Sequence, residues 1–337
     1  VTTADPGQVL RGAIVGLGMM GRHHARLLQS SPRIVFAGAV DPGGDRYGAV
    51  RDPGDVYDSI HELLEDGTPD FAVVAVPTDE HLVVARTLAA AGVHMLIEKP
   101  LAGTVAEANE IISACSDAGL RAAVGHVERF NPALIELRRR TEEGQVGEVF
   151  LIGTERCGPF PDRVKDVGVV KDLATHDLDL VAWLGKSPID LVAAQTAYRT
   201  GRVHEDLVLA TGRLASGLAF SITVDWLTPT KIRRMRILGD RGMLVADTLT
   251  SDLVFHENGR VTSEWDSTQA LRGVAEGNST RYALQRREPL LVELEAFCDF
   301  VLGDDASPAV TLEEGLRTVR CAEKVLESAR DSRTVRV

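Results

Sequence analysis

Long apolar runs are missing from this chain of 337 residues. No stretch reaches the roughly 18 apolar residues that a membrane-crossing helix needs, so no membrane partner is expected. Aromatic residues make up only 5%, with 3 Trp and 4 Tyr, and leave no obvious stacking platform for a nucleobase. Positive charge is short as well: 37 Lys and Arg stand against 49 Asp and Glu, a formal net charge of -12. That balance argues against a nucleic-acid partner, whose capture rests on neutralising phosphates. It does not exclude a small anionic substrate, because local Arg and Lys groups can hold an anion inside an acidic protein. The 4 cysteines, Cys115, Cys157, Cys298 and Cys321, are too widely separated for a metal or redox motif. No metal is expected, and a cytoplasmic protein with reduced thiols is. Val1 to Gly7 carries neither a basic nor an apolar targeting region and reads as a lead-in to the first strand.

What is present suits two globular domains, with 44% hydrophobic residues and no repeat. The first third alternates β-branched runs with helical patterns. Ala13 to Val15, Val35 to Val40, Phe71 to Val76, His94 to Ile97 and Ala122 to Val124 read as buried strands. Glu80 to Ala91 and Val105 to Ala118 carry apolar residues at helical spacing. Thr78 is expected to cap the first of these helices, and Thr104 with Glu107 to form a capping box on the second. Such alternation implies βαβ units and a parallel sheet. The expected fold is therefore α/β, an N-terminal Rossmann doubly wound sheet over residues 1-126.

Residues 127-337 read as an α+β domain with a large, mostly antiparallel open sheet. Asn131 and Pro132 open a helix, and strands follow at 149–155, 191–198, 206–214, 218–226, 233–238 and 244–248. Hairpin turns fit Ala215-Ser216-Gly217 and Gly239-Asp240-Arg241-Gly242. A helix from Asp172 to Leu184 interrupts the series. Helices near Pro289 to Leu302 and Thr311 to Ala329 close the chain and are free to pack back on the first domain.

Gly16-Leu17-Gly18-Met19-Met20-Gly21 follows the first strand and opens a helix. A GxGxxG alone is weak, but strand, glycine turn and helix in that order are what a dinucleotide requires. Gly16 allows the turn, Gly18 admits the pyrophosphate, and Gly21 lets helix and strand approach. Asp41 ends the second strand about 20 residues beyond Gly21, where a carboxylate accepts from ribose hydroxyls and repels a 2′-phosphate. NAD is favoured over NADP, with Arg46 near enough to soften the preference.

Lys99, in Glu98-Lys99-Pro100, lies at the carboxyl end of a strand, where such sheets place ligands. A lysine there can stabilise alkoxide charge, although a loop lysine is more often merely solvated. Asp172 and His176 stand one helical turn apart, with Asp179 one turn further, and histidine suits proton transfer near neutral pH. A capped surface helix would show the same residues.

Gly16 to His24 (GLGMMGRHH), Val76-Pro77-Thr78 with His81, Glu98-Lys99-Pro100 and Asp172-x-x-x-His176 occur in fixed order. The set resembles the glucose-fructose oxidoreductase/inositol dehydrogenase (Gfo/Idh/MocA) family over nearly the whole chain. The resemblance implies that Lys99, Asp172 and His176 converge over a nicotinamide. It implies cofactor contacts from Gly16, Met19, Met20, Asp41, His81 and Glu98. Gly18, Gly21, Arg46, Val76, Thr78 and Lys99 complete the candidate cofactor set. It also implies a homodimer or homotetramer built through the C-terminal sheet. His176 would exchange the hydroxyl proton, Lys99 would polarise the same oxygen or share the proton work, and Asp172 would position them. The order of His176 and Lys99 as principal base stays open.

Two stretches, Arg156-Cys157-Gly158-Pro159-Phe160-Pro161 on to Val170 and Glu276 to Tyr282 with Glu288-Pro289-Leu290, resemble UDP-N-acetyl-amino-sugar 3-dehydrogenases within that family. Arg156, Arg163 and Arg281 are candidate donors to a diphosphate, and Glu128, Arg129 and Asn131 are candidates to meet sugar hydroxyls. The expected function is an NAD-dependent oxidoreductase acting on a sugar carbinol, with C3 of a nucleotide amino sugar as target. Alternatives are an inositol or free-sugar dehydrogenase, a glycoside-opening enzyme that retains NAD, and a non-catalytic NAD- or sugar-sensing regulator.

Overall fold

The computed structural model describes residues 8–161, 167–259 and 276–337. By contacts among described residues the chain divides into two compact units, Val1–Val127 with Leu290–Arg320 and Glu128–Pro289 with Cys321–Val337.

In the first unit, β1 (Leu10–Val15), β2 (Ile34–Val40), β3 (Val56–Tyr57), β4 (Phe71–Val74), β5 (His94–Glu98) and β6 (Ala122–Gly125) form one sheet in the order β3-β2-β1-β4-β5-β6. All its pairings are parallel. The strand order reverses between β1 and β4, and a doubly wound sheet opens its ligand crevice at the carboxyl ends of strands at that point. The glycine loop, Val76, Thr78, Glu98 and Lys99 all follow carboxyl ends of β1, β4 and β5, so topology alone gathers them on one rim.

The connecting helices are α1 (Gly21–Ser30), α2 (Ile60–Asp66), α3 (His81–Ala90) and α4 (Val105–Asp117). The capping box on α4 is present: Glu107 N donates to Thr104 Oγ1 at 3.2 Å, and Thr104 N donates to Glu107 Oε2 at 2.9 Å. Thr78 does not cap α3. It opens a 3-10 turn over Thr78–Glu80, and α3 starts at His81 with no side-chain cap. The short β3 and α2 are additions to the sequence-based reading. A further helix, α7 (Pro289–Val301), sets Leu290, Leu294, Phe297 and Cys298 into the core of this unit with Ile14, Leu28 and Phe71. Phe71 and Phe297 meet edge to face at 5.5 Å. Each such buried side chain contributes roughly 1.5–3 kcal/mol.

Among the described residues the second unit is built on a sheet of nine strands, β7 (Val149–Pro159), β8 (Ile189–Ala197), β9 (Leu207–Leu214), β10 (Ala219–Asp225), β11 (Leu227–Gly239), β12 (Gly242–Asp247), β13 (Asp252–Asn258), β14 (Glu276–Tyr282) and β15 (Val335–Arg336). Its order is β14-β13-β12-β11-β7-β10-β9-β8-β15, antiparallel throughout except for β7 with β10. Both expected hairpins are present, joining β9 to β10 and β11 to β12. One face of the sheet, with Ile152, Leu214, Val224 and Ile237, packs on α5 (Pro132–Glu142) and α6 (Thr175–Leu184) and on the second half of α8 (Leu312–Asp331). Asn131 caps α5 by accepting from Ala133 N at 3.0 Å, with Pro132 in its first turn. Among the described residues no helix is long and apolar enough to cross a membrane.

Candidate active site

In the first unit, the glycine loop is forced by contacts rather than composition. Gly16 adopts φ +94, and a Cβ there would fall 2.6 Å from Ala75 O. A Cβ on Gly21 would stand 1.8 Å from Gly16 O, so only glycine lets α1 start against the loop. A Cβ on Gly18 would meet nothing within 4 Å, which leaves its backbone open to a ligand. The start of α1 has no side-chain cap and no acidic residue, so no carboxylate of its first turn meets the positive dipole end, while Arg22 N, His23 N and His24 N bond back to Gly18 O and Met20 O. Asp41 closes this cradle: Oδ2 accepts from Leu17 N at 2.8 Å and Oδ1 from Gly43 N at 2.8 Å. Arg46 lies beside it, with Nε donating to Gly43 O at 3.4 Å. Met19 and Met20 present exposed apolar side chains next to the loop. These residues fit a dinucleotide.

Glu98 and Lys99 sit at the end of β5, where Glu98 is buried and Lys99 half-buried. Glu98 Oε1 meets His24 Nε2 at 2.9 Å, and Oε2 accepts from Lys99 N at 3.2 Å. Burial pushes the Glu98 carboxyl up, but the His24 hydrogen bond and the charges of His24 and Lys99 hold it below its ordinary value. His81 is buried. Its Nδ1 lies 3.1 Å from Leu101 O and its Nε2 3.2 Å from Val76 O, so the ring ties two backbone segments together rather than offering its nitrogens to a cofactor. Val76 and Thr78 are half-buried on the same rim.

Sequence reasoning missed His24 and Glu293. Both carboxylate oxygens of Glu293, on α7, are buried without a hydrogen-bond partner. Burial, with the nearby charge of Glu98 adding to it, raises this carboxyl well above its ordinary value. A raised folded-state value means the folded protein holds a proton that the unfolded chain releases. Stability therefore falls as pH rises from the ordinary carboxylate range toward that raised value. Glu293→Gln removes this loss. We expect the variant to match the parent near pH 5 and to exceed it at pH 8 by about 1–3 kcal/mol, read from urea unfolding at both pH values. A constant difference between the two would show that Glu293 does not titrate there.

In the second unit, residues Val170–Ala174 form a π-helical turn that runs into α6. Asp172 lies within the π turn and His176 in the first turn of α6, both half-buried. Asp179, expected beside His176 on one helix face, is engaged elsewhere. It is buried, and Arg129 grips it with Nε at 2.8 Å and Nη2 at 2.6 Å. Arg129 thus holds an internal carboxylate. Arg156 is likewise buried, with Nε on Asp177 at 2.7 Å and Nη1 on Glu128 at 2.8 Å. Burial opposes the Arg156 charge, and the two carboxylates outweigh it and raise its pKa above the ordinary guanidinium value. Asn131 uses its amide on Thr248 O as well as on the cap. The set expected to meet substrate around residues 128–131 and 156 therefore forms an internal framework between sheet and helices.

The remaining two candidate arginines fall elsewhere. Arg163 lies outside the described residues. Arg281 stands exposed on the edge strand β14, paired with Asp252 at 2.7 Å. Four strand spacings, roughly 19 Å, separate β14 from the β7 strand of Arg156, so those two do not act as one clamp.

Residues 10–126 match the model of the oxidoreductase family with an NAD-binding Rossmann fold, and residues 138–337 match that family's C-terminal alpha/beta domain. The chain belongs to the Gfo/Idh/MocA oxidoreductase family. It is 29% identical to the UDP-N-acetylglucosamine 3-dehydrogenase of Acidithiobacillus ferrooxidans over 295 residues, 87% of this chain and 88% of that one. A solved structure of that enzyme superposes with a TM-score of 0.81 at 27% identity, covering 96% of this chain and 98% of the other. The myo-inositol dehydrogenase Hyg17 of Streptomyces leeuwenhoekii is 27% identical over 330 residues, 94% of this chain and 96% of its own. The WlbA dehydrogenase of Bordetella pertussis, solved with NADH and UDP-GlcNAcA, shares the fold at TM-score 0.78 and 22% identity, over 98% of each chain.

Proposed function

We propose that this protein is an NAD-dependent dehydrogenase of a nucleotide amino sugar, moving a hydride between nicotinamide and C3 of a substrate such as UDP-N-acetylglucosamine. The reading rests chiefly on its likeness to the Acidithiobacillus enzyme over most of both chains. The ordered set of glycine loop, Lys99 and Asp172 with His176 supports the chemistry.

The cradle of Gly16, Gly18 and Gly21, with the open start of α1, would hold the pyrophosphate, and Asp41 the adenosine ribose. The Asp41 carboxylate disfavours a 2′-phosphate, which makes NAD rather than NADP the proposed cofactor. When bound, the nicotinamide supplies the hydride acceptor or donor. His176 takes the proton of the substrate hydroxyl at its imidazole, Lys99 donates a hydrogen bond to the same oxygen, and Asp172 orients them. The sheet face of the second unit turned away from its helices, where Met243, Val245 and Val254 lie, is the proposed surface for a homodimer or homotetramer.

A screen decides the substrate. Purified protein is offered NAD or NADP with UDP-N-acetylglucosamine or myo-inositol, and reduced nicotinamide is followed by absorbance. NAD reduction with the nucleotide sugar alone is the expected result. Turnover of myo-inositol instead would establish the cyclitol reading. That alternative gains from the likeness to Hyg17 and from Arg129 and Arg156 being held by internal carboxylates.

A further inference from the structure

We infer that Glu205, in the loop between β8 and β9, is a positioning residue that sets where Asp172 and His176 stand. The inference rests on the dehydrogenase reading above.

A π turn is rare in proteins and is favoured mainly where function needs it. One extra residue in a helix turns everything before it by roughly 100° about the axis, so the aim of Asp172 relative to His176 depends on the turn being held. The first N–H groups of such a segment have no partner within it. Here Glu205 supplies both. Its backbone carbonyl accepts from Val169 N at 3.0 Å, and its Oε1 accepts from Val170 N at 3.0 Å. Glu205 is buried, so water does not compete for these donors.

The approach needs Gly168. A Cβ there would lie 2.0 Å from Oε1, 2.1 Å from Cδ and 2.2 Å from Oε2 of Glu205. The glycine before Val169 and Val170 makes room for a distant carboxylate. Asp206 stiffens the loop that carries Glu205. Its carboxylate accepts from Arg199 N at 2.6 Å, Thr200 N at 2.8 Å and Thr200 Oγ1 at 2.8 Å. Arg202 Nη2 donates to Val167 O at 2.7 Å, so the loop grips the chain on both sides of Gly168.

Glu205→Ala, Glu205→Gln and Gly168→Ala are compared with the parent and with His176→Ala. Backbone hydrogen exchange is read over 167–176, and initial rates with NAD are read on UDP-N-acetylglucosamine and myo-inositol. The inference expects Glu205→Ala and Gly168→Ala to exchange at least 10-fold faster across 169–172 with other segments unmoved. It expects kcat to fall 10- to 100-fold with KM changed less than 3-fold, and Glu205→Gln, whose amide oxygen still accepts, to recover most of the rate. Unchanged exchange in Glu205→Ala overturns it, whatever the rates. So does a kcat within 2-fold of the parent when His176→Ala is inactive. An active His176→Ala sinks the dehydrogenase assignment of the helix itself, a different failure. If the parent turns over neither sugar, the exchange result decides alone.

Discussion

Lys99→Met and His176→Ala are each expected to lower kcat by roughly 10²- to 10⁴-fold while dinucleotide affinity stays within a few-fold. The proposed reaction gives the two groups different duties. An ammonium beside a developing alkoxide acts by charge, whereas an imidazole acts by taking the proton. Methionine keeps the length and apolar stem of lysine, so Lys99→Met removes the charge with little change in packing. Lys99→Arg should rescue poorly, because a planar fork cannot occupy the place of a compact ammonium. The dinucleotide contacts proposed here lie on the glycine loop and Asp41, which explains why binding should survive. Steady-state rates with the sugar found in the screen, paired with calorimetric titration of NAD, separate the two effects. A Lys99→Met variant at parental kcat would remove Lys99 from the chemistry, and the same holds for His176.

The parts of this molecule that were legible in the sequence are those whose cause is local. The glycine loop, Asp41, the Thr104–Glu107 box and the Asn131-Pro132 start each depend on a few neighbouring residues, and each appears where the spacing places it. β3 was not legible because two half-buried residues, Val56 and Tyr57, make no period. The π turn has no sequence signature. Helical spacing carried across it set Asp172 on one face with His176, and Asp179, in the regular part of α6, is buried against Arg129. β14 went unread because its residues, Glu276 to Tyr282, are polar and mostly exposed, as an edge strand can be. Glu293 looked like any helical acid, and Glu205 acts on a segment more than thirty positions earlier. Burial and long-range partnership decide such residues, and neither is written in their neighbours.

The same lesson bears on Arg129 and Arg156, whose chemistry suits a phosphate as well as it suits a carboxylate. Breaking a buried ion pair from one side leaves a charge stranded in low dielectric, which costs about 3–5 kcal/mol. Arg129→Met takes the guanidinium from Asp179, and Arg156→Leu takes it from Asp177 and Glu128, so each variant should unfold earlier by roughly 6–20 °C. Removing the opposing charge as well changes the sign of the argument, because a well-packed apolar pair pays no desolvation. Arg129→Met with Asp179→Leu should therefore recover at least half of the loss, and the excess over additivity in that cycle measures the coupling. Calorimetric melting of the single and double variants reads it directly. A ligand role makes the opposite forecast: an Arg156→Leu protein melting like the parent but with KM raised for the nucleotide sugar. That result would return Arg156 to the substrate.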